Sequence, residues 1–208
     1  MLEKIKKNKI PIIIIILLIF ITIITLKVLQ KKNIIIDELA YNLLVAKLRN
    51  PTLTKIMKFI TSLSNTPVIT VIAIILFLVI KNKKVSLTIP TNLVLIATLN
   101  QILKLIFQRE RPIGYRLLEI GGYSFPSGHA MASTAFYGLL IYLSYKYIKN
   151  KNLKIFLITI NTIVIILVGI SRIYLGVHYC SDVLVGISIS IIYLIIYTKI
   201  LTKYKVLN

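Results

Sequence analysis

His178 and Asp182 stand four residues apart, and His129 is the only other histidine in the 208-residue chain. If Val177 onward is helical, as the apolar residues after Asp182 suggest, positions four apart stack on one face and Asp182 reaches the His178 ring. A carboxylate on one ring nitrogen fixes the tautomer and leaves the other nitrogen free to attack an electrophile or exchange a proton. Taken alone, the pair reads equally well as a structural hydrogen bond at a helix end. Three cations change the balance. Lys104, Arg111 and Arg172 have no matching acids, so bringing them together requires an anion between them, and planar guanidinium forks fit phosphate oxygens. Pro126-Ser127-Gly128 precedes an apolar run whose helix N-terminus offers free amides and the positive dipole end to the same anion. His129 stands at that terminus, which favours its neutral form, whereas bound phosphate favours the protonated one. A ring balanced in this way is suited to giving a proton to a leaving oxygen.

These residues must be positioned by apolar elements. The chain is 57% hydrophobic with a mean hydropathy of +0.88, which marks an all-α, polytopic membrane protein forming a single domain over residues 1–208. Six segments are long enough to span: residues 10–29, 59–80, 85–105, 129–147, 155–171 and 183–200. Asn100 and Asn161 inside them are expected to make interhelical hydrogen bonds. The net charge of +20 comes as short lysine clusters between apolar runs, the pattern of loops facing anionic headgroups and not of nucleic-acid binding. A single cysteine, Cys180, excludes an internal disulfide and a cysteine metal site, and it reads as a packing residue. Lys4, Lys6, Lys7 and Lys9 precede the first apolar run without a small-residue cleavage pattern after it, so that run is expected to be an uncleaved span.

Residues 33–65 read as an interfacial segment. Ile35, Ile36, Leu39, Leu43 and Ala46 fall on one helical side and Asp37, Glu38, Asn42 and Arg49 on the other, an amphipathic helix at the membrane surface that either shapes a lipid entrance or merely connects. Asn50-Pro51 then predicts an N-cap and first helical residue leading into the second span.

Six spans in alternation bring the end of the third, the start of the fourth, the end of the fifth and the start of the sixth to one membrane face. Both histidines and the three cations collect there, with Asp182 as the one carboxylate bordering an apolar span. Ionisable residues at that depth are costly to desolvate, so function is their default reading. The N-terminal lysines, Lys81, Lys83 and Lys84, the run from Lys146 to Lys154 and the tail from Lys199 hold 14 of the 26 Lys+Arg in short segments. This places both termini in the cytoplasm and the site at the extracytoplasmic face.

Lys104, six residues, Arg111-Pro112; then Pro126-Ser127-Gly128-His129; then Ser171-Arg172, five residues, His178, three residues, Asp182: this order and spacing resembles the three-part signature of the type-2 phosphatidic acid phosphatase superfamily, without departure at any specified position. The resemblance implies a lipid phosphatase of the membrane branch. In it His178 is the nucleophile that becomes a phosphohistidine, Asp182 supports it, and His129 protonates the departing alcohol and then activates water. Lys104, Arg111, Ser127, Gly128 and Arg172 hold the phosphoryl oxygens, and neither metal nor other cofactor takes part. The small size resembles bacterial phosphatidylglycerophosphate and undecaprenyl diphosphate phosphatases. The partners implied are the bilayer and a membrane lipid phosphate or diphosphate, phosphatidate included. The motifs read only the phosphoryl group, so they do not choose the lipid, and they carry no information on oligomeric state. A non-enzymatic anionic-lipid binder or transporter would need the cations but not the histidine pair.

Neighbouring residues get plainer readings. Arg109, Glu110, Arg116 and Glu119 are expected to be solvated loop charges, with Arg109 or Arg116 able to touch a headgroup. Tyr123 and Phe125 are expected to anchor at the interface. Ser171 either bonds phosphate or caps its helix.

Overall fold

A computed structural model describes residues 2–207, with side chains from residue 9 onward. Lys4, Lys6 and Lys7 of the first lysine cluster lie outside the described side chains. The described residues form eight α-helices and no strand: α1 (Leu2–Leu29), α2 (Ile35–Tyr41), α3 (Pro51–Ser62), α4 (Thr66–Val79), α5 (Lys83–Phe107), α6 (Gly128–Tyr147), α7 (Lys151–Tyr174) and α8 (Cys180–Lys203). Four are long and apolar enough to cross a bilayer: α1 from Lys9, α5, α7 and α8. Their outer faces show Ile16, Leu105, Phe156 and Ile200 to the surroundings, an arrangement suited to hydrocarbon and not to water.

The second expected span, residues 59–80, is not one helix. α3 ends at Ser62, α4 begins at Thr66, and their axes differ by 46°, so together they count as at most one further, bent span. Pro67 explains the break, because its ring lacks an N–H and clashes with the carbonyl four residues earlier, so the helix cannot run through. Asn50 does cap α3 as expected, its Oδ1 accepting from Leu53 N at 2.8 Å ahead of Pro51.

α6 differs from its neighbours. It packs against α5, α7 and α8 and buries Ser133 and Thr134 alongside Ala130, Met131, Ala135 and Phe136. A helix sheathed by other helices does not need the apolar surface that lipid demands, which is why polar residues survive in it. Small residues let the sheath close, and a Cβ on Gly138 would come within 2.5 Å of Leu194. Polar ties reinforce the contacts: Asn92 Nδ2 donates to Ala135 O at 2.9 Å, and Ser190 Oγ donates to Met131 O at 3.2 Å.

Of the two asparagines expected to bond between helices, Asn100 bonds outside its helix, donating to Pro126 O at 3.1 Å. Asn161 instead donates to Leu157 O of its own α7 at 2.6 Å, a turn back along the same helix.

The segment after α1 holds α2, only seven residues long, followed by a π-helical turn, Asn42–Lys47. Ile35, Leu39 and Leu43 face outward at 70%, 63% and 54% exposure, while Ile34 and Val45 are buried. Asp37, expected on a solvated polar face, turns inward and meets the head of α8.

Candidate functional site

The α7–α8 turn is shaped by Gly176 and by an arginine from the segment after α2. Arg49 donates to Tyr174 O from both Nε (3.0 Å) and Nη2 (2.7 Å), satisfying the carbonyl that α7 leaves free at its end. Gly176 follows with φ +70°, where a Cβ would stand 2.5 Å from Tyr115 O and 2.8 Å from Arg49 Nη2. Only glycine meets both the left-handed backbone and the close approach. The chain is then set for His178.

His178 is not on a helix, contrary to the expectation from the four-residue spacing. α8 begins at Cys180, with Tyr179 as its N-cap, and His178 belongs to the turn. The contact with Asp182 still forms, at 3.4 Å between His178 Nδ1 and Asp182 Oδ2, for a different reason. Asp182 lies in the first turn of α8 and folds back to accept from Tyr179 N at 3.0 Å, satisfying a free amide at the positive helix end and presenting the same oxygen to the ring.

Arg111 settles the tautomer. Its Nη1 lies 3.2 Å from His178 Nε2, and a guanidinium only donates, so Nε2 is the acceptor and Nδ1 carries the hydrogen toward Asp182. Ser124 Oγ lies 3.3 Å from Nδ1 and donates to Asp182 Oδ2 in a short hydrogen bond. Arg111 is anchored by Val177 O at 2.8 Å and by the carbonyls of Gly122 (3.0 Å) and Gly121 (3.2 Å). Burial pushes His178 down to about 4 against the opposing pull of Asp182, with the Arg172 and Arg111 charges adding to the fall. Burial lowers Arg111 as well, beyond what Asp182 restores.

The Pro-Ser-Gly-His stretch docks directly on this pair. Ser127 N donates to Asp182 O at 3.1 Å, Ser127 is the N-cap of α6, and Gly128 opens that helix against Asn100, whose Oδ1 a Cβ would approach to 3.0 Å. Ser127 Oγ is buried without a hydrogen-bond partner. Arg172 is 1% exposed, its Nη1 donating to Thr61 Oγ1 at 2.7 Å while its Nε has no partner. His129 Nε2 lies 2.9 Å from Asn65 Oδ1 in the break between α3 and α4, and its backbone oxygen accepts from Ser64 Oγ at 3.0 Å. Lys104 is half-buried within electrostatic range of Arg111, Asp182 and Arg172, and His129 within range of Arg172, His178, Lys104 and Arg111. All eight expected site residues therefore converge. Ser171 stands apart, its Oγ donating to Val168 O of its own helix at 2.7 Å.

Further contacts come from residues that the motifs do not include. Arg109, expected as a solvated charge, donates to Asp182 Oδ1 at 2.6 Å and to Asp37 Oδ2 at 2.9 Å, and stacks over the Tyr179 ring at 3.9 Å. Burial alone would lower Arg109, but the two carboxylates raise it on balance. Asp182 is thus not the sole carboxylate at this end. Ser124, Thr61 and Asn65 were also unassigned; only Asn65 had a signal, a polar Ser-Asn-Thr-Pro interruption inside an apolar run. Phe125, expected at the interface, is fully buried, edge-on to Phe107 with centroids 5.2 Å apart, because it plugs the gap between α5 and α1. Arg116, Glu110 and Glu119 are exposed, as expected.

A cavity of about 750 Å³ opens beside His178 and Tyr179, walled by Lys31 and Lys32 from the end of α1 and by Asp37 and Arg109. Among the described residues no cluster of three or more His, Cys, Asp or Glu could hold a metal ion.

Comparison with known proteins agrees with this geometry. The profile of the PAP2 superfamily matches residues 68–205. Phosphatidylglycerophosphatase B of Bacillus subtilis strain 168 is 40% identical over 96 residues, 45% of this chain and 47% of that protein, so the match spans about half of that relative's length. The crystal structure of the first transmembrane PAP2 type phosphatidylglycerolphosphate phosphatase from Bacillus subtilis superposes with a TM-score of 0.77 at 28% identity, covering 91% of this chain and 96% of the other. That of Aquifex aeolicus LpxE gives 0.66 at 25%, over 80% and 96%. With its profile match extending over most of the chain and its signature residues gathered at one end of the helices, this membrane protein belongs to the PAP2 superfamily.

Proposed function

We propose that the chain hydrolyses a lipid phosphate monoester or diphosphate through a phosphohistidine at His178, with phosphatidylglycerophosphate, phosphatidate and undecaprenyl diphosphate as the candidate substrates. The observation that carries this reading is the orientation of His178: Nδ1 is held by Asp182, and the lone pair on Nε2 points at Arg111, a phosphate-binding type of side chain. Ser127 Oγ and Arg172 Nε, two of the four buried polar atoms without partners among the described residues, support it, since both lie at this site, where phosphoryl oxygens would complete them.

In the proposed sequence a phosphoryl group enters among Lys104, Arg111, Ser127, the Gly128 amide and Arg172. Arg111 turns its Nη1 hydrogen from His178 to a phosphoryl oxygen, which frees Nε2 to attack phosphorus. The P–O bond to the lipid breaks as His129 gives its proton to the departing oxygen. Water then yields a proton to His129 and attacks the phosphohistidine, releasing inorganic phosphate and restoring both rings. Positioning and charge stabilisation do most of the work in such transfers, and the cations supply both without any metal in this scheme.

The same reading has six spans, counting α6 and the bent α3–α4 pair, and a surface-lying α2 beside the cavity through which a headgroup enters while its tails stay in the bilayer. It puts both termini in the cytoplasm and the site at the extracytoplasmic face, supported by the lysine clusters at the opposite loops.

The test uses purified protein in detergent with EDTA, offered each of the three lipids. Phosphate release by the wild type and none by His178→Ala is the expected result, and the ranking of rates names the substrate. Binding without release from any lipid would turn the reading to an anionic-lipid binder or transporter.

A further inference from the structure

Arg109 lies between two carboxylates that are far apart in sequence. Its Nη1 donates to Asp182 Oδ1 at 2.6 Å and to Ser181 Oγ at 2.7 Å, and its Nη2 donates to Asp37 Oδ2 at 2.9 Å. Asp37 in turn accepts from Ser181 N at 2.7 Å and Ser181 Oγ at 2.8 Å, so a carboxylate from α2 caps the first turn of α8. The side chains of Arg109 and Asp37 are only 17% and 9% exposed, and that of Asp182 is fully buried. Ion pairs this enclosed hold their geometry far better than surface pairs, because releasing either partner leaves a buried charge uncompensated.

We propose that Arg109 is a positioning residue for the His178–Asp182 pair and that Asp37 holds Arg109 in place, which makes α2 part of the apparatus that sets the nucleophile. This rests on the function proposed above. Asp182 has two oxygens with separate duties. Oδ2 takes His178 Nδ1, Ser124 Oγ and Tyr179 N, while Oδ1 takes Arg109. With Oδ1 fixed by a guanidinium, the carboxylate cannot rotate to exchange its oxygens, and Oδ2 stays on the ring. The guanidinium also neutralises Asp182, so that His178 is not drawn into a tight imidazolium pair and its Nε2 lone pair remains available. The other charges facing His178 are Arg111 and Arg172, with Lys104 and His129 further round the same pocket, and none of them touches Oδ1. Only Arg109 acts on the ring through the far oxygen of Asp182.

The test compares Arg109→Met, Arg109→Lys, Asp37→Asn and the double variant Arg109→Met/Asp37→Asn, each checked by size exclusion in detergent. Two readouts are used. The first is steady-state hydrolysis of whichever lipid the wild type accepts. Arg109→Met is expected to lower kcat by about 30-fold or more with KM within about threefold, and Arg109→Lys to recover part of the loss. Asp37→Asn, which keeps an oxygen for Ser181 N, is expected to lower kcat by about tenfold alone and by less than about twofold on top of Arg109→Met.

The second readout needs no turnover. With only two histidines in the chain, carbon-13 labelling of histidine resolves the His178 titration, assigned with His129→Gln. Loss of the Arg109 charge is expected to raise the His178 midpoint by about one pH unit, since an uncompensated Asp182 favours the imidazolium. A kcat for Arg109→Met within threefold of wild type, a rise in KM at unchanged kcat, fully additive losses or an unmoved midpoint would each overturn the proposal. Should the wild type release phosphate from no lipid, the functional reading fails, and the midpoint still decides the role of Arg109. If Arg109→Met does not fold, Arg109→Gln, which also removes the charge, takes its place in both readouts.

Discussion

His178 Nε2 lies 3.2 Å from Arg111 Nη1, on the opposite side of the ring from Asp182. The nitrogen proposed to attack phosphorus therefore already faces a side chain proposed to bind the phosphoryl group. If it attacks, a brief reaction with radiolabelled substrate followed by alkaline quenching leaves label on the protein, because phosphohistidine survives base and not acid. His178→Ala should carry no label and lose at least about a thousandfold in kcat. A labelled His178→Ala enzyme would remove His178 from the role.

His129 is proposed to protonate the leaving oxygen, and a general acid matters in proportion to how poorly the group leaves. His129→Gln should lower kcat on a lipid alcohol substrate by roughly 10²–10⁴-fold. The loss should shrink to about tenfold or less with a nitrophenyl phosphate ester, whose phenolate departs without a proton. Equal losses on both substrates would point to phosphate binding in place of acid catalysis.

Ser127 Oγ is buried without a partner. Ser127→Ala removes a hydroxyl that costs free energy in the unliganded protein, so the thermal midpoint in detergent should stay level or rise, while kcat/KM falls about tenfold or more. A stability loss together with unchanged kcat/KM would make the hydroxyl structural.

The buried His178 ring, at about 4, titrates below the ordinary histidine value near 6.5. Between these limits the unfolded chain binds the extra proton and the folded chain does not, so stability rises with pH through this window. The contribution is complete above about pH 6.5 and is lost as pH falls toward about 4. Thermal midpoints measured from pH 7 to pH 4 should therefore fall more steeply for the wild type than for His178→Gln, which cannot take the proton.

The motif residues were legible in the sequence because each belongs to a stretch of fixed spacing, and the expected alternation of apolar spans put them at one end of the molecule. The helix ends were also readable where a local rule decides them, as with Asn50 capping α3 ahead of Pro51. What escaped was set by tertiary contact. No local pattern tells that Thr61 meets Arg172 across the bundle, or that Asp37 turns inward to α8 while Ile35 and Leu39 face out. The expectation that His178 rides on a helix failed because a four-residue spacing also fits a residue before a helix and an acid in its first turn. The unbroken second span failed for a reason visible in the letters, Pro67 inside an apolar run.

The bend between α3 and α4 lies at the boundary of another division in the chain. The family profile begins at residue 68, yet Asp37, Arg49, Thr61 and Asn65 all precede it and each grips a part of the site or its frame. The signature residues thus all lie within the profile, together with Arg109 and Ser124, while the rest of the frame around them comes from ahead of it. On the function proposed above, exchanging the first third of the chain is expected to change rate or headgroup preference with every signature residue left untouched.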